Sequence, residues 1–289
     1  MLARVVTALV LAPTVIALVW YGPPALLAAI AAVAAILALV EFLKLGERTG
    51  FRAFPNWTMV STAAIFFVQY AAGAAETHSF AGGNTLIRPF LGGLFSLDLV
   101  FIVFLLGAAG IVLAMKRPLH DALPAISVSS AGLLFVALPF SYLVRLDEIP
   151  MRGRQLVLFT LCLVWAGDIV AYFVGRSLGR VKMAPALSPK KTWEGAAGNV
   201  AASLLIGYGF ARWMQADVVT MLLIAALANI AGQMGDLLES SYKRGASVKD
   251  SSGLLPGHGG MLDRIDSLIL AAPVVWVLFQ WFGERLIAP

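Results

Sequence analysis

Residues 243–266 read KRGASVKDSSGLLPGHGGMLDRID and gather seven charges and a histidine in a short span. The run Pro256-Gly257-His258-Gly259-Gly260 carries little side-chain bulk, so its backbone N–H groups can approach an anion closely. Asp263 and Asp266 follow at a spacing of three, which places both on one face of a helix. Acids at a helix N-terminus are also favoured by the dipole alone. Cations at Lys243, Arg244 and Lys249 stand beside acids at Asp236, Asp250 and Asp263. Carboxylates together with phosphate oxygens are the usual way of holding Mg2+. The set therefore suits a phosphate-rich, metal-bound ligand. Asp250 fits either a metal ligand or a partner for Lys249.

A second charged stretch is SPKKTWEG, 188–195. Ser188 and Pro189 are expected to form a helix N-cap and first-turn pair, with Lys190 and Lys191 on the first turn. Cations there oppose the helix dipole, so they need another reason, either a phosphate clamp or the bias of cytoplasmic loops toward positive charge. Two apolar runs also carry ionisable groups. In NIAGQMGDLLESSYKR, residues Asn229, Gln233, Asp236, Ser240 and Lys243 form one polar stripe at helical spacing. Such a stripe faces protein or water rather than lipid. Asp168, in VWAGDIVAYFVGR, shares a face with Tyr172 and Arg176. Either an Asp–Arg pair stabilises the helix bundle there, or the acid is functional, as intramembrane acids commonly are.

The elements that must position these residues are membrane helices. Apolar residues make up 60% of the chain and charged residues 13%, with mean hydropathy +0.87, well outside the range of soluble domains. Runs long enough to cross about 30 Å of hydrocarbon lie near 4–21, 24–43, 57–75, 97–115, 123–145, 155–175, 195–213, 217–242 and 264–283. The expectation is an all-α polytopic membrane protein of about nine transmembrane helices. Boundaries are least defined around Pro124 and Pro139, where proline frees backbone groups. Most of the 21 lysines and arginines fall on one side if the N-terminus is cytoplasmic. That orientation puts loops 176–194 and 243–263 on the cytoplasmic face. Polar content is lopsided, so residues 1–150 are expected to be scaffold spans and 151–289 the catalytic region.

Other features narrow the reading. Cys162 is the single cysteine, which excludes disulfides and cysteine-zinc sites within the chain. Only His78, His120 and His258 are present, so a histidine-rich metal site is not expected. The first run lacks a following small-residue cleavage site and is taken as a helix, not a signal peptide. YGPP at 21–24 is expected to turn tightly into the second run, and alanine-rich AAIAAVAAI to form packing surface. The net charge of +5 follows from loop bias and gives no reason to invoke nucleic acid.

The stretch SSYKRGASVKDSSGLLPGHGGMLDRID resembles the signature of the phosphatidate cytidylyltransferases, or CDP-diacylglycerol synthases. The matching positions are Ser240, Lys243, Arg244, Lys249, Asp250, Pro256, His258, Gly259, Gly260, Asp263, Arg264 and Asp266. Tyr242 departs from the pattern, which prefers an aliphatic residue there. SPKKTWEG and GDIVAYFVGRSLG resemble two further family stretches, and the dense likeness runs from about 160 to 270. The resemblance implies the reaction CTP + phosphatidate to CDP-diacylglycerol + pyrophosphate, a committed step of phospholipid biosynthesis, with Mg2+ required. It implies metal ligation by Asp236 and Asp263 and association of a second, monovalent ion, while Asp250 stays a candidate metal ligand or a partner of Lys249. Lys243, Arg244, Lys249, His258, Asp263 and Arg264 are the expected catalytic set. Ser188, Lys190, Lys191, Ser240, Gly259, Gly260 and Asp168 are the expected substrate-binding set. It further implies a multi-pass protein of the inner membrane, a homodimer, with the site open to the cytoplasm.

Two rivals stand beside this reading. A CTP-dependent lipid kinase would share a polyphosphate site but transfer the γ-phosphoryl group. A secondary transporter could carry intramembrane acids, but transporters often show matched halves, and here the polar features sit in one half.

Overall fold

The computed structural model describes residues 2–79, 96–114, 118–254 and 259–287. His258 lies outside the described residues, as do Arg88, Lys116 and Arg117 among the loop cations. Each of the nine apolar runs is helical where described, and among the described residues six candidate spans are long and apolar enough to cross a membrane. The chain is a helical, multi-pass membrane protein. Its contacts divide it into two compact units, Met1–Met151 with Asp250–Leu262, and Arg152–Lys249 with Asp263–Pro289.

The first unit opens with α1 (Leu2–Tyr21), and Gly22 and Pro23 turn the chain into α2 (Pro24–Arg48). The turn is tight because Gly22 N–H donates to Leu18 O at 2.8 Å. Pro23 as N-cap and proline at the first helical turn then start α2, where a missing N–H costs nothing. Ala28, Ala31, Ala35 and Ala38 are buried along one face of α2, the packing surface that the alanine run predicts. In lipid no hydrophobic force drives helices together, so close approach of small residues must do so. Next come α3 (Pro55–Ser79) and α4 (Leu97–Ala114), and α3 packs on both α2 and α4. The core holds Ile65, Phe104, Leu133 and Ala137. Trp57 Nε1 donates to Phe104 O at 2.9 Å across α3 and α4.

The fifth run is one irregular span, Leu119–Asp147. It comprises a 3-10 turn (Leu119–Asp121), α5 (Ala122–Gly132), a π turn (Leu133–Ala137) and α6 (Leu138–Asp147). Pro124 falls in the first turn of α5, where proline is tolerated, whereas Pro139 would clash with the carbonyl four residues back. The widened turn just before it accommodates the ring, as such bulges do inside α-helices.

The second unit contains α7 (Gly153–Ser177), the strands β1 (Lys182–Ala184) and β2 (Ser188–Thr192), α8 (Trp193–Met214), α9 (Val218–Gly245) and most of α10 (Leu262–Ile287). Helices α7, α8 and α9 pack against one another. The α7–α8 contact is close: a Cβ on Gly195 would lie 3.0 Å from Ala171 O and 3.3 Å from Gly175 Cα.

One expectation needs correction. The helical fold is as expected, with one short antiparallel hairpin formed by β1 and β2. Ser188 and Pro189 do not cap a helix; they begin β2, and Thr192 is the N-cap of α8. The reason is pairing with Lys182–Ala184, just upstream of the stretch, which holds 188–192 extended. Thr192 Oγ1 then accepts from Gly195 N at 3.2 Å. Glu194 reaches back to accept from Val181 N at 3.2 Å. Backbone amides, first its own at the helix start and then that of Arg180, hold its carboxyl below the usual range.

Thr192→Ala is expected to lower stability by about 1 kcal/mol, the usual value of such a cap. Reversible unfolding in mixed micelles measures it, and an unchanged midpoint would refute the capping role.

Candidate active site

The stripe on α9 has one partner set on each side. On one side Asn229 Nδ2 donates to Asn199 Oδ1 and to Ser203 Oγ, each at 2.5 Å. Gln233 Nε2 donates to Asn229 Oδ1 at 2.7 Å, and Asn199 Nδ2 reaches Asp168 Oδ1 at 3.4 Å. These contacts run across α9, α8 and α7 as one chain of amides. The approach of α7 leaves no room for a side chain at residue 167: a Cβ on Gly167 would sit 1.9 Å from Asn199 Oδ1. Asp168 thus ends an amide network, and Arg176 donates instead to the Tyr172 hydroxyl at 3.0 Å.

A cavity of about 670 Å³ opens here, lined among others by Asp168, Arg176, Lys190, Lys191, Gln233 and Asp236. The hairpin supplies the lysines. Lys191 Nζ lies 2.5 Å from Asp236 Oδ2, and Lys190 is exposed at the rim. Ser188, at the start of the same strand, is half-buried. Arg244 braces the hairpin, with Nε donating to Leu187 O at 3.1 Å and Nη1 to Val248 O at 2.9 Å.

On the other side of the stripe, Asp236, Glu239 and Asp266 bring carboxylate oxygens within 4.8 Å of one another. Ser240 Oγ is 3.5 Å from Asp236 Oδ1. Lys243 Nζ bridges Glu239 Oε2 at 2.6 Å and Asp263 Oδ1 at 2.5 Å. Asp236 is paired with Lys191, and Glu239 and Asp263 share Lys243, with Asp266 crowded against Asp236 and Glu239. Such a gathering of carboxylates suits a divalent cation. Glu239 Oε1 is buried and has no hydrogen-bond partner among the described residues. Such an orphan oxygen is costly unless a cation or proton meets it. The donor set is all oxygen, which suits Mg2+ or Ca2+ rather than a soft metal.

Of the residues named from sequence, the second unit brings together Asp168, Lys190, Lys191, Asp236, Ser240, Lys243 and Asp263. Arg264, in the first turn of α10, is exposed, and so is Lys249. Asp250, Gly259 and Gly260 belong to the first unit, Asp250 exposed and Gly260 buried. Glu239 was not among the expected ligands, although it follows Asp236 by three residues and so shares its face. Asn199 was missed as well, because a single amide in an apolar helix gives no periodic signal.

A model of the Cytidylyltransferase family matches residues 2–282. The chain is 34% identical over 282 residues to a protein of Brucella abortus named phosphatidate cytidylyltransferase, covering 97% of this chain and 94% of that one. A Bacillus subtilis protein of the same name is 37% identical over 152 residues, 52% of this chain and 56% of its own. Another, from Pseudomonas aeruginosa, is 41% identical over 155 residues, 53% of this chain and 57% of its own.

Glu239→Gln is expected to weaken Mn2+ binding to the purified protein by about tenfold, about 1.4 kcal/mol. Electron paramagnetic resonance of free Mn2+ reads the affinity, and an unchanged value would remove Glu239 from the metal site.

Proposed function

Because the chain belongs to the Cytidylyltransferase family, we propose that it joins CTP to phosphatidate, forming CDP-diacylglycerol and releasing pyrophosphate. The observation that carries this is the meeting of a lysine-lined cavity with an acid cluster at one shared residue, Asp236. A polyphosphate needs the cations, and a divalent ion needs the acids.

A phosphate oxygen of phosphatidate forms a bond to the α-phosphorus of CTP as the bond from that phosphorus to the bridging oxygen breaks, and pyrophosphate departs. The attacking oxygen is already ionised at neutral pH, so no general base is required. Catalysis then rests on positioning and charge neutralisation. Lys190 and Lys191 screen the repulsion between two anionic substrates, and Lys243 keeps Glu239 and Asp263 in place. Arg244 positions the hairpin that carries the lysines. Asp236, Glu239 and Asp266 would hold Mg2+, with Asp263 beside them. Bound Mg2+ would supply charge neutralisation across the nucleotide phosphates.

The proposal extends to topology and assembly. Nine crossings with a cytoplasmic N-terminus put the cavity on the side where nucleotide is available, in the inner membrane, and the family resemblance supports a homodimer. Residues 151–289 form the catalytic region and the spans of 1–150 support it, with Asp250–Leu262 belonging to the unit that those spans build.

Purified protein with phosphatidate, Mg2+ and CTP labelled at either the α or the γ phosphate tests the reaction. Lipid carrying the α label, with γ label in pyrophosphate, is the expected result. Label from the γ position in lipid would make the protein a kinase, and no transfer by folded protein would favour a transporter. Asp263→Asn is expected to abolish turnover while the protein still inserts and folds. Full activity in that variant would refute its role.

A further inference from the structure

Glu41 is an acid inside the apolar run of α2, and it is only 4% exposed. Each of its oxygens accepts two hydrogen bonds. Oε2 takes Ser251 Oγ at 2.8 Å and Leu262 N at 2.8 Å, and Oε1 takes Ser252 Oγ at 2.6 Å and Met261 N at 3.0 Å. One carboxylate therefore ties residues 251–252 to residues 261–262. All of these residues lie in the first unit. The fit is close: a Cβ on Gly260 would sit 2.3 Å from Glu41 Oε2 and 2.0 Å from Ser251 Oγ. Gly259 beside it has φ +80°, which a side chain rarely tolerates.

Two of the four donors are backbone N–H groups at the start of α10. Helix starts leave such groups without intrahelical partners, and a negative charge there is favoured by the dipole. Here the capping anion comes from a side chain 220 residues away in sequence. Asp263, which pairs with Lys243, is the residue directly after Leu262. An acid held by four donors in an apolar helix does more than satisfy itself: it sets where the loop ends and α10 begins.

We propose that Glu41 is a positioning residue for the reaction, holding Ser251 and Ser252 to Met261 and Leu262 at the start of α10 so that Asp263 enters the site in register. The proposal rests on the cytidylyl-transfer reading above. The four hydrogen bonds of Glu41 go to residues of the first unit, whereas Lys190, Lys191 and Asp236 belong to the second, so CTP affinity is the readout that separates positioning from general damage.

The test compares Glu41→Gln and Ser252→Ala with the parent protein in three readouts: kcat for label transfer, CTP affinity, and hydrogen exchange at the amides of Met261 and Leu262. Gln presents donors to donors and loses half the acceptor capacity, so kcat is expected to fall about 100-fold, the order that a small misplacement costs. Ser252→Ala removes one of the four bonds, and a several-fold fall is expected. In both variants CTP affinity should stay within twofold and the two amides should exchange faster. An unchanged kcat in folded Glu41→Gln overturns the proposal. So does a parallel loss of kcat and CTP affinity, which marks general destabilisation. If Glu41→Gln fails to fold, Ser252→Ala decides by the same criteria. If the parent transfers no label, the functional reading fails, and unchanged amide exchange in the variants would separately refute the clamp.

Discussion

A carboxylate removed from water must be met by donors or cations, at a cost of several kcal/mol if it is not, and the architecture of this chain follows from how its acids are met. Glu41 is met by four donors. What that yields is a shape. Asp236, Glu239 and Asp263 are met by two lysines, with Asp266 drawn close to Asp236 and Glu239. What this crowding yields is affinity for a cation. The same functional group thus serves two ends, and the number of donors around it decides which.

The amide network between these extremes carries no net charge. Asn199 and Ser203 of α8 and Asn229 and Gln233 of α9 hydrogen-bond across the two helices, which fixes helix register without adding to the electrostatic imbalance. That register sets where Asp236 faces the hairpin. Extended backbone in β2 turns successive side chains to opposite faces. Lys191 accordingly pairs with Asp236 while Lys190 stays exposed at the cavity rim. Two lysines on a helix's first turn would have pointed in more similar directions, so the hairpin gives them separate tasks.

Much of this was legible in the sequence wherever the signal was local. Helices stand at each apolar run, and the polar stripe on α9 was visible because its members recur at helical spacing. The reading failed where partners lie outside the stretch that was read. Ser188 looked like a cap because pairing with Lys182–Ala184 leaves no mark in SPKKTWEG. Asn199 is a lone amide whose meaning comes from α9. Glu41 is hardest of all: half of its donors are backbone N–H groups, which every residue but proline has, and they lie more than 200 positions away. An acid in a long apolar run was still a signal, since burying one demands compensation.

Lys243 shows why the site acts as a unit. It follows Glu239 by four residues on α9, so helix geometry alone brings those two together. Its second partner, Asp263, belongs to the first turn of α10. One ammonium therefore holds two carboxylates from different helices and fixes the spacing between them. Because the two acids share one cation, a change at either alters the pairing of the other, so their energies do not add. Asp236 stands in the same relation to Lys191 and to the acid cluster. A charge entering or leaving at one position is felt at all of them. Such a coupled set suits a site whose ligands are themselves highly charged, because binding replaces internal pairing with pairing to substrate rather than filling an empty space.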